Sequence, residues 1–296
     1  MFCCKIKNTI QSTTRNYELL DEIGMGSYGK VKLAKDVKSK KKYAIKLIEK
    51  QKMEEFHAEN NILTEIRIQS KLHHPHIVEL VEYFEDEKFI YLVQEYCSKG
   101  TLRQQICKRR LQENEIYNYI YQLNEALIYL HRQRIVHRDL KLDNILLDDN
   151  DTIKLTDFNW ATKLNSYAAE PTNCGTTHYM PPEIVLLQPH TEKVDSWSLG
   201  IIIFELVFQH RPFEGLTQEE LQKQIIYHNP LTDCKSIPTD LIMLLNCLLT
   251  KNPIYRLNCE QVKVSQWFQR QHHNSFLQAD ESVNLTNITY NKNDNI

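Results

Sequence analysis

Glycine is scarce in this chain: there are seven in 296 residues, and three of them, Gly24, Gly26 and Gly29, fall within six positions. Long apolar runs are absent. The longest, LGIIIFELVF at 199–208 and LIMLLNCLL at 241–249, fall short of the roughly 18 residues a membrane helix needs and suit buried helices instead. An excess of one charge is missing too: 36 Lys and Arg against 38 Asp and Glu leave a formal net charge of −2, so there is no basic footprint for nucleic acid. The eight cysteines form no CxxC pair and no secretory signal precedes them, which reads as reduced thiols in an intracellular protein. Phe2 occupies the position where myristoylation demands glycine. The Asn-X-Thr triplets at Asn284 and Asn287 read as chance matches in an Asn-rich tail. What is present, 42% hydrophobic and 25% charged residues, suffices for a large core or for two lobes sharing a cleft.

Residues 1–16 read as a polar, mobile segment. From Tyr17 the pattern is strand-like (YELLDEIG, GKVKLAKD, KKYAIKLIEK), with a Lys-rich turn at 38–42. Residues 54–72 are predicted to be one helix with Ile62, Ile66 and Leu72 on its apolar face, and Phe89–Tyr96 another strand. After that helices dominate: 116–131 is amphipathic, and 194–208 is apolar nearly all round, hence central and buried. The order is a small β-rich lobe followed by a larger α-rich lobe. Residues 269–296 are polar and Asn-rich and read as a disordered tail.

Three constellations carry chemistry. The first is Gly24-Met25-Gly26-Ser27-Tyr28-Gly29-Lys30-Val31. A dinucleotide-binding loop shares this glycine spacing but should open a helix; here a strand follows, which suits a hairpin lid whose amides cover phosphates. A plain glycine-rich hairpin is the bland alternative. The second is Ala44-Ile45-Lys46. A strand lysine behind such a lid reaches the α- and β-phosphates and needs an anion to hold it. Glu65 on the following helix can serve, with Glu59 as its rival. The third, His137-Arg138-Asp139-Leu140-Lys141-Leu142-Asp143-Asn144, is the strong signal. Asp139 would accept or orient the proton of an attacking hydroxyl, Lys141 would neutralise the transferring phosphate, and Asn144 would hold one Mg²⁺. Asp157, thirteen residues later after a short strand, would hold the other.

These motifs together resemble the eukaryotic protein kinases over about residues 17–268, with an N-lobe near 17–94 and a C-lobe near 95–268. The resemblance implies an α+β, bilobal fold: a small five-stranded antiparallel β-sheet lobe, helix C, a hinge near 94–100 and a mainly α-helical lobe. It implies ATP and Mg²⁺ as cofactors, and protein substrates with Ser or Thr acceptors, because Lys141 stands two residues after Asp139. Ile23, Val31, Ala44 and Leu146 would enclose adenine, and backbone groups of Glu95 and Cys97 would hydrogen-bond it. Cys97 is an ordinary hinge residue on this reading, open to solvent. Thr176 would support Asp139. Glu183 and Arg256 match the family's buried ion pair, and Asp195 the residue bracing the catalytic loop. His73, His74 and His76 flank Pro75 where kinases carry His-Pro, so they read as a loop and not a metal site.

A closer resemblance is to the Aurora kinases. It rests on Ile68-Gln69-Ser70, Glu95-Tyr96 with Gly100-Thr101, Trp160, Cys174-Gly-Thr with Tyr179-Met-Pro181-Pro182-Glu183, and Glu192-Lys-Val-Asp195-Ser-Trp197-Ser-Leu-Gly200. Polo-like kinases are the rival, but they carry a C-terminal region for which about 28 residues leave no room. The Aurora resemblance implies roles in mitotic, spindle or basal-body biology, at cytoplasm, nucleus or spindle. It also implies an activating protein on the N-lobe and a monomeric kinase without nucleic acid or membrane partners.

Three departures stand out. Asn159 replaces the glycine of the metal-binding turn; asparagine tolerates the left-handed conformation at about 1–2 kcal/mol, so the turn is expected to stiffen without losing chemistry. Gln94 replaces an apolar residue before the hinge, and its amide is expected to pair with Gln69 or share a water with it. Thr172 matches the Aurora phosphorylation site, where a phosphate would pair with Arg138, yet it is approached by Ala169-Glu170-Pro171 and not by arginines; Glu170 is a candidate stand-in for the phosphate. Asp143 suggests, by analogy, a basic residue before the target hydroxyl. The competing functional class is a non-catalytic scaffold that binds nucleotide and a partner. A dinucleotide-dependent oxidoreductase fails on the strand after Gly29.

Overall fold

The computed structural model describes residues 9–26, 29–164, 176–231 and 237–272. Ser27, Tyr28, Thr172 and the polar tail beyond 272 lie outside the described residues. The N-terminal part is built from β1 (Thr9–Gln11), β2 (Asn16–Gly26), β3 (Gly29–Asp36), β4 (Lys42–Glu49), α1 (Lys50–Glu55), α2 (Glu59–Gln69), β5 (Leu80–Glu85) and β6 (Phe89–Glu95). Its antiparallel sheet has six strands in the order β1-β2-β3-β4-β6-β5.

The sixth strand corrects the expected five. It also corrects the reading of 1–16 as a uniformly mobile segment, because β1 pairs with β2 through Ile10↔Tyr17. Ile10 buries its side chain beside Tyr17, and Ser12 Oγ accepts from the amides of Thr14 and Arg15 to close the connection. A single buried aliphatic residue among polar neighbours anchors the strand.

The strand period of two sets what each face carries. Ile45 and Leu47 pack with Tyr17, Tyr43 and Val93 on one face, while Ile48 packs with Ile62 and Ile66 of α2 on the other. Lys46 shares the face of Ile48 and so points toward α2. The helix predicted over 54–72 is two helices. His57, at φ 51, ends α1; its amide bonds Glu54 O and the amide of Ala58 bonds Met53 O, the hydrogen-bond pattern of a left-handed helix stop.

The C-terminal part follows with β7 (Gly100–Thr101), α3 (Leu102–Lys108), α4 (Glu113–Arg132), β8 (Ile135–Val136), β9 (Ile145–Leu147), β10 (Ile153–Leu155), β11 (Thr162–Lys163), α5 (Pro182–Val185), α6 (Lys193–Phe208), α7 (Gln218–Tyr227), α8 (Thr239–Leu248) and α9 (Cys259–Lys263). In α4, Ile116, Ile120, Leu123, Leu127 and Leu130 recur at helical spacing and are buried. α6 is buried on nearly every side, as predicted, and Gly200 lets α8 come close: a Cβ there would lie 2.8 Å from Leu248 Cβ. The small sheet β7-β9-β10 and the pair β8-β11 hold the loops that carry the site. Among the described residues no helix is long and apolar enough to cross a membrane.

Candidate active site

A cleft of about 420 Å³ lies between the glycine hairpin and the segments carrying Asn144, Leu146, Thr156 and Asp157. Ile23, Gly24, Met25, Gly26, Val31, Ala44, Lys46, Glu95, Cys97 and Leu146 line it, as do Glu65, Asn144 and Asp157. The hairpin pairs Gly24↔Val31 and Gly26↔Gly29. Gly29 is held against β4, where a Cβ would sit 1.7 Å from Leu47 O, so no other residue fits that backbone. Cys97 is 7% exposed, and burial pushes its thiol up to about 12, so the expected open hinge cysteine is a covered, protonated one.

Lys46 Nζ lies 2.8 Å from both oxygens of Glu65 and 3.5 Å from Asp157 Oδ1. Glu65, flanked by the core residues Ile62 and Ile66, is therefore the partner, and not Glu59. Burial alone would lower the Lys46 pKa; the charges of Glu65 and Asp157 override it and the net shift is upward. Burial pushes the Glu65 carboxyl up against the pull of Lys46.

Asp139 is fixed on both oxygens. Oδ2 accepts from Lys141 Nζ at 2.7 Å and Asn144 Nδ2 at 3.1 Å, and Oδ1 accepts from the Thr176 amide at 2.9 Å and its hydroxyl at 3.0 Å. Lys141 Nζ also donates to Thr176 Oγ1 at 2.9 Å. Asn144 Nδ2 further donates to Asp139 O at 2.8 Å, which turns its carbonyl oxygen the opposite way. Asn144 and Asp157 thus present oxygen donors to one cleft, a donor set that fits a hard cation retaining water and phosphate ligands, such as Mg²⁺.

The loop is braced from below. Asp195, at the start of α6, accepts from the amides of His137 (3.0 Å) and Arg138 (2.9 Å) and pairs with His131 Nε2 at 2.8 Å. These bonds hold Arg138 at φ 65. Burial works against the Asp195 charge, but the His131 hydrogen bond wins and its pKa is lowered; burial opposes the His131 charge too, but Cys259 and then Asp195 raise it to about 10. Arg138 Nε donates to Trp160 O at 2.8 Å. Phe158 is fully buried and packs edge-on against the His137 ring, with centroids 4.9 Å apart.

Asn159 departs from expectation. Its φ is not positive; the left-handed residue of the turn is Asp157 itself, at φ 67. Aspartate is among the few residues that tolerate this conformation, so the requirement for glycine at 159 lapses. Asn159 is buried, and its Oδ1 has no hydrogen-bond partner among the described residues. The expected glutamine pair is present: Gln94 Nε2 donates to Gln69 Oε1 at 3.1 Å, and Gln69 Nε2 donates to Val78 O at 2.9 Å. Glu183 and Arg256 form a fork of 2.6 and 2.9 Å bonds, and Arg256 also donates to the carbonyls of Thr250, Lys251 and Lys193.

Sequence reasoning missed Arg103, which bonds Glu205 and Tyr179 close to this loop. The signal available was a lone arginine just after Gly100-Thr101, with no local partner to mark it.

A glycine hairpin over a Lys–Glu pair, facing an Asp–Lys–Asn–Thr cluster and two oxygen donors, defines a nucleotide-dependent phosphotransferase. The family model described as "Protein kinase domain" matches residues 17–268, and the chain belongs to the protein kinase family. It is 38% identical to the Aurora kinase of Schizosaccharomyces pombe over 252 residues, 85% of this chain and 71% of that protein. It is 35% identical to the Aurora kinase of Eremothecium gossypii over 257 residues, 86% of this chain and 70% of that one. NUAK family SNF1-like kinase 2 of Homo sapiens is 41% identical over 256 residues, 85% of this chain, but the chain spans only 40% of its length. The Aurora resemblance therefore stands beside a second kinase group that the motifs alone did not single out. Kinases of this family use ATP and a divalent metal and act on proteins.

Proposed function

We propose that the chain is an active, Aurora-like serine/threonine kinase. The observation that carries this reading is the fixation of Asp139 by four donors beside a cleft that also holds the Lys46–Glu65 pair. The acceptor hydroxyl attacks the γ-phosphorus of ATP. A new P–O bond forms to the acceptor, the bond to the β–γ bridging oxygen breaks, and ADP leaves. Asp139 takes the hydroxyl proton, and its four donors keep the carboxylate from rotating away. Lys141 lies where the charge of the transferring group develops, while Lys46, held by Glu65, binds the α- and β-phosphates. Mg²⁺, when bound by Asn144 and Asp157, supplies charge neutralisation across the phosphates.

Ile23, Val31, Ala44 and Leu146 surround adenine, and the backbone at Glu95 and Cys97 bonds its edge. Gly24, Met25, Gly26, Ser27, Tyr28 and Gly29 close over the phosphates. Phosphate on Thr172 would pair with Arg138. Mitotic or spindle roles, an activating protein on the N-lobe and a monomeric state follow from the similarity to the Aurora kinases and share its standing.

The test is phosphoamino-acid analysis of a protein mixture labelled by wild-type enzyme with radiolabelled ATP and Mg²⁺. Label on serine and threonine that Asp139→Asn reduces by about 10²–10⁴-fold is expected. Label on tyrosine refutes the acceptor class. Nucleotide binding without transfer, from protein phosphorylated at Thr172, favours the scaffold reading.

A further inference from the structure

Arg103, the second residue of α3, reaches across to α6. Its Nη1 donates to Glu205 Oε1 at 2.5 Å and its Nη2 to the Tyr179 hydroxyl at 2.7 Å, while its Nε lies 3.6 Å from Asp143 Oδ2. Tyr179 Oη donates to the other Glu205 oxygen at 2.5 Å, and Arg211 Nε stands 3.6 Å from Oε1.

The cluster lies beside the reaction centre. Asp143 is two residues past Lys141 and lines the nucleotide cleft, and Tyr179 lines the same small cavity as Asp139 and Thr176. Two carboxylates there, one half-exposed and one buried, form a socket for a cation beside Asp139. Arg103 already sits between the two carboxylates, with Arg211 at the edge against Glu205 alone.

We infer that Arg103 is a built-in occupant of the subsite that would otherwise bind a basic residue of the peptide substrate, so that this kinase phosphorylates peptides without requiring arginine near the acceptor. This rests on the kinase reading above and reverses the expectation raised by Asp143 alone. Burial opposes the Arg103 charge, but its bond to Glu205, with Tyr179 and Asp143 nearby, gives a net upward shift, so the occupant is permanently cationic. Unlike Arg256, which is sealed, the Arg103 side chain is 22% exposed, so removing it opens the socket to solvent and to a peptide.

The experiment is a positional peptide library, with one Ser/Thr acceptor and each flanking position varied, phosphorylated by wild type, Arg103→Ala and Arg103→Ala/Asp143→Asn. Wild type is expected to gain less than about threefold in kcat/KM from arginine at any position. Arg103→Ala should gain about tenfold at one position or more, the worth of one charge-assisted pair, and the double variant should lose part of that gain. Arg103→Met, which keeps the aliphatic stem, replaces the alanine variant if thermal melting shows it unfolded. Wild type that already selects arginine about tenfold overturns the inference whether or not a variant folds. Folded variants with an unchanged profile overturn it too. Absence of transfer to every peptide and to a general protein acceptor sinks the kinase reading and this inference together, whereas transfer with an unchanged profile sinks this inference alone.

Discussion

Two buried Lys/Arg–Glu pairs in this molecule look alike on distance and differ in everything else. Arg256–Glu183 is closed: both side chains are at most 1% exposed, and three backbone carbonyls take the remaining guanidinium protons. Lys46–Glu65 opens on the cleft: two ammonium protons go to Glu65 at 2.8 Å and the third makes only a long 3.5 Å contact with Asp157. A closed pair ties segments together, because breaking it strands a charge with no water to reach it. An open pair also costs desolvation but keeps a charge facing the cleft. Burial and bond length alone do not separate architecture from chemistry; whether the pair lines a cleft does.

Substitutions should split the two. Lys46→Met is expected to lower phosphate transfer by about 10²–10³-fold in steady-state assays, the usual loss for one electrostatic donor at a reacting group. Its melting temperature should fall little, because Glu65 already has a raised pKa and takes up a proton when its partner goes. Arg256→Met should do the reverse, costing about 3–5 kcal/mol in chemical denaturation, since Glu183 is left sealed and unpaired. A Lys46→Met protein that melts as far below wild type as Arg256→Met would erase the distinction.

Gln94→Leu probes the cleft's back wall. The Gln69 carbonyl oxygen loses its donor, so a loss of about 1–3 kcal/mol in denaturant unfolding is expected. Unchanged or increased stability would mean the amide pair contributes nothing.

The smallest expected effect is a slope with pH. His131 is raised to about 10 in the folded chain, above the usual value of about 6.5, by Cys259 and Asp195, so these contacts stabilise fully below about pH 6.5 and their contribution is lost as pH rises through about 10. Between those limits the melting temperature of wild type should fall more steeply than that of His131→Gln. Parallel curves would remove the pair from the stability of the catalytic loop.

Much of this site is legible in the sequence because its chemistry is packed into short stretches. Asp139, Lys141 and Asn144 share six positions and bond one another in the fold, so spacing alone nearly fixes their geometry. Lys46 and Glu65 are harder, being nineteen residues apart, yet the apolar stripe through Ile62 and Ile66 chooses Glu65 over Glu59. Features decided by a single residue in an unremarkable setting escaped. Ile10 holds a sixth strand inside a polar stretch, and His57 breaks a helix whose periodicity runs straight through it. Arg103 meets Glu205 from 102 positions away, with no local pattern to announce the meeting. The turn at Asp157–Asn159 shows a subtler limit: the missing glycine directed attention to residue 159, whereas the left-handed backbone belongs to Asp157.

The most direct measurement compares wild type with Asp139→Asn for two quantities in the same preparation, both phosphorylated at Thr172: ATP affinity and the rate of radiolabelled phosphate transfer. A working phosphotransferase requires affinities within about threefold and a transfer rate lower by about 10²–10⁴-fold in the variant. Equal affinities with no transfer from either protein, or transfer that survives in Asp139→Asn, would contradict it.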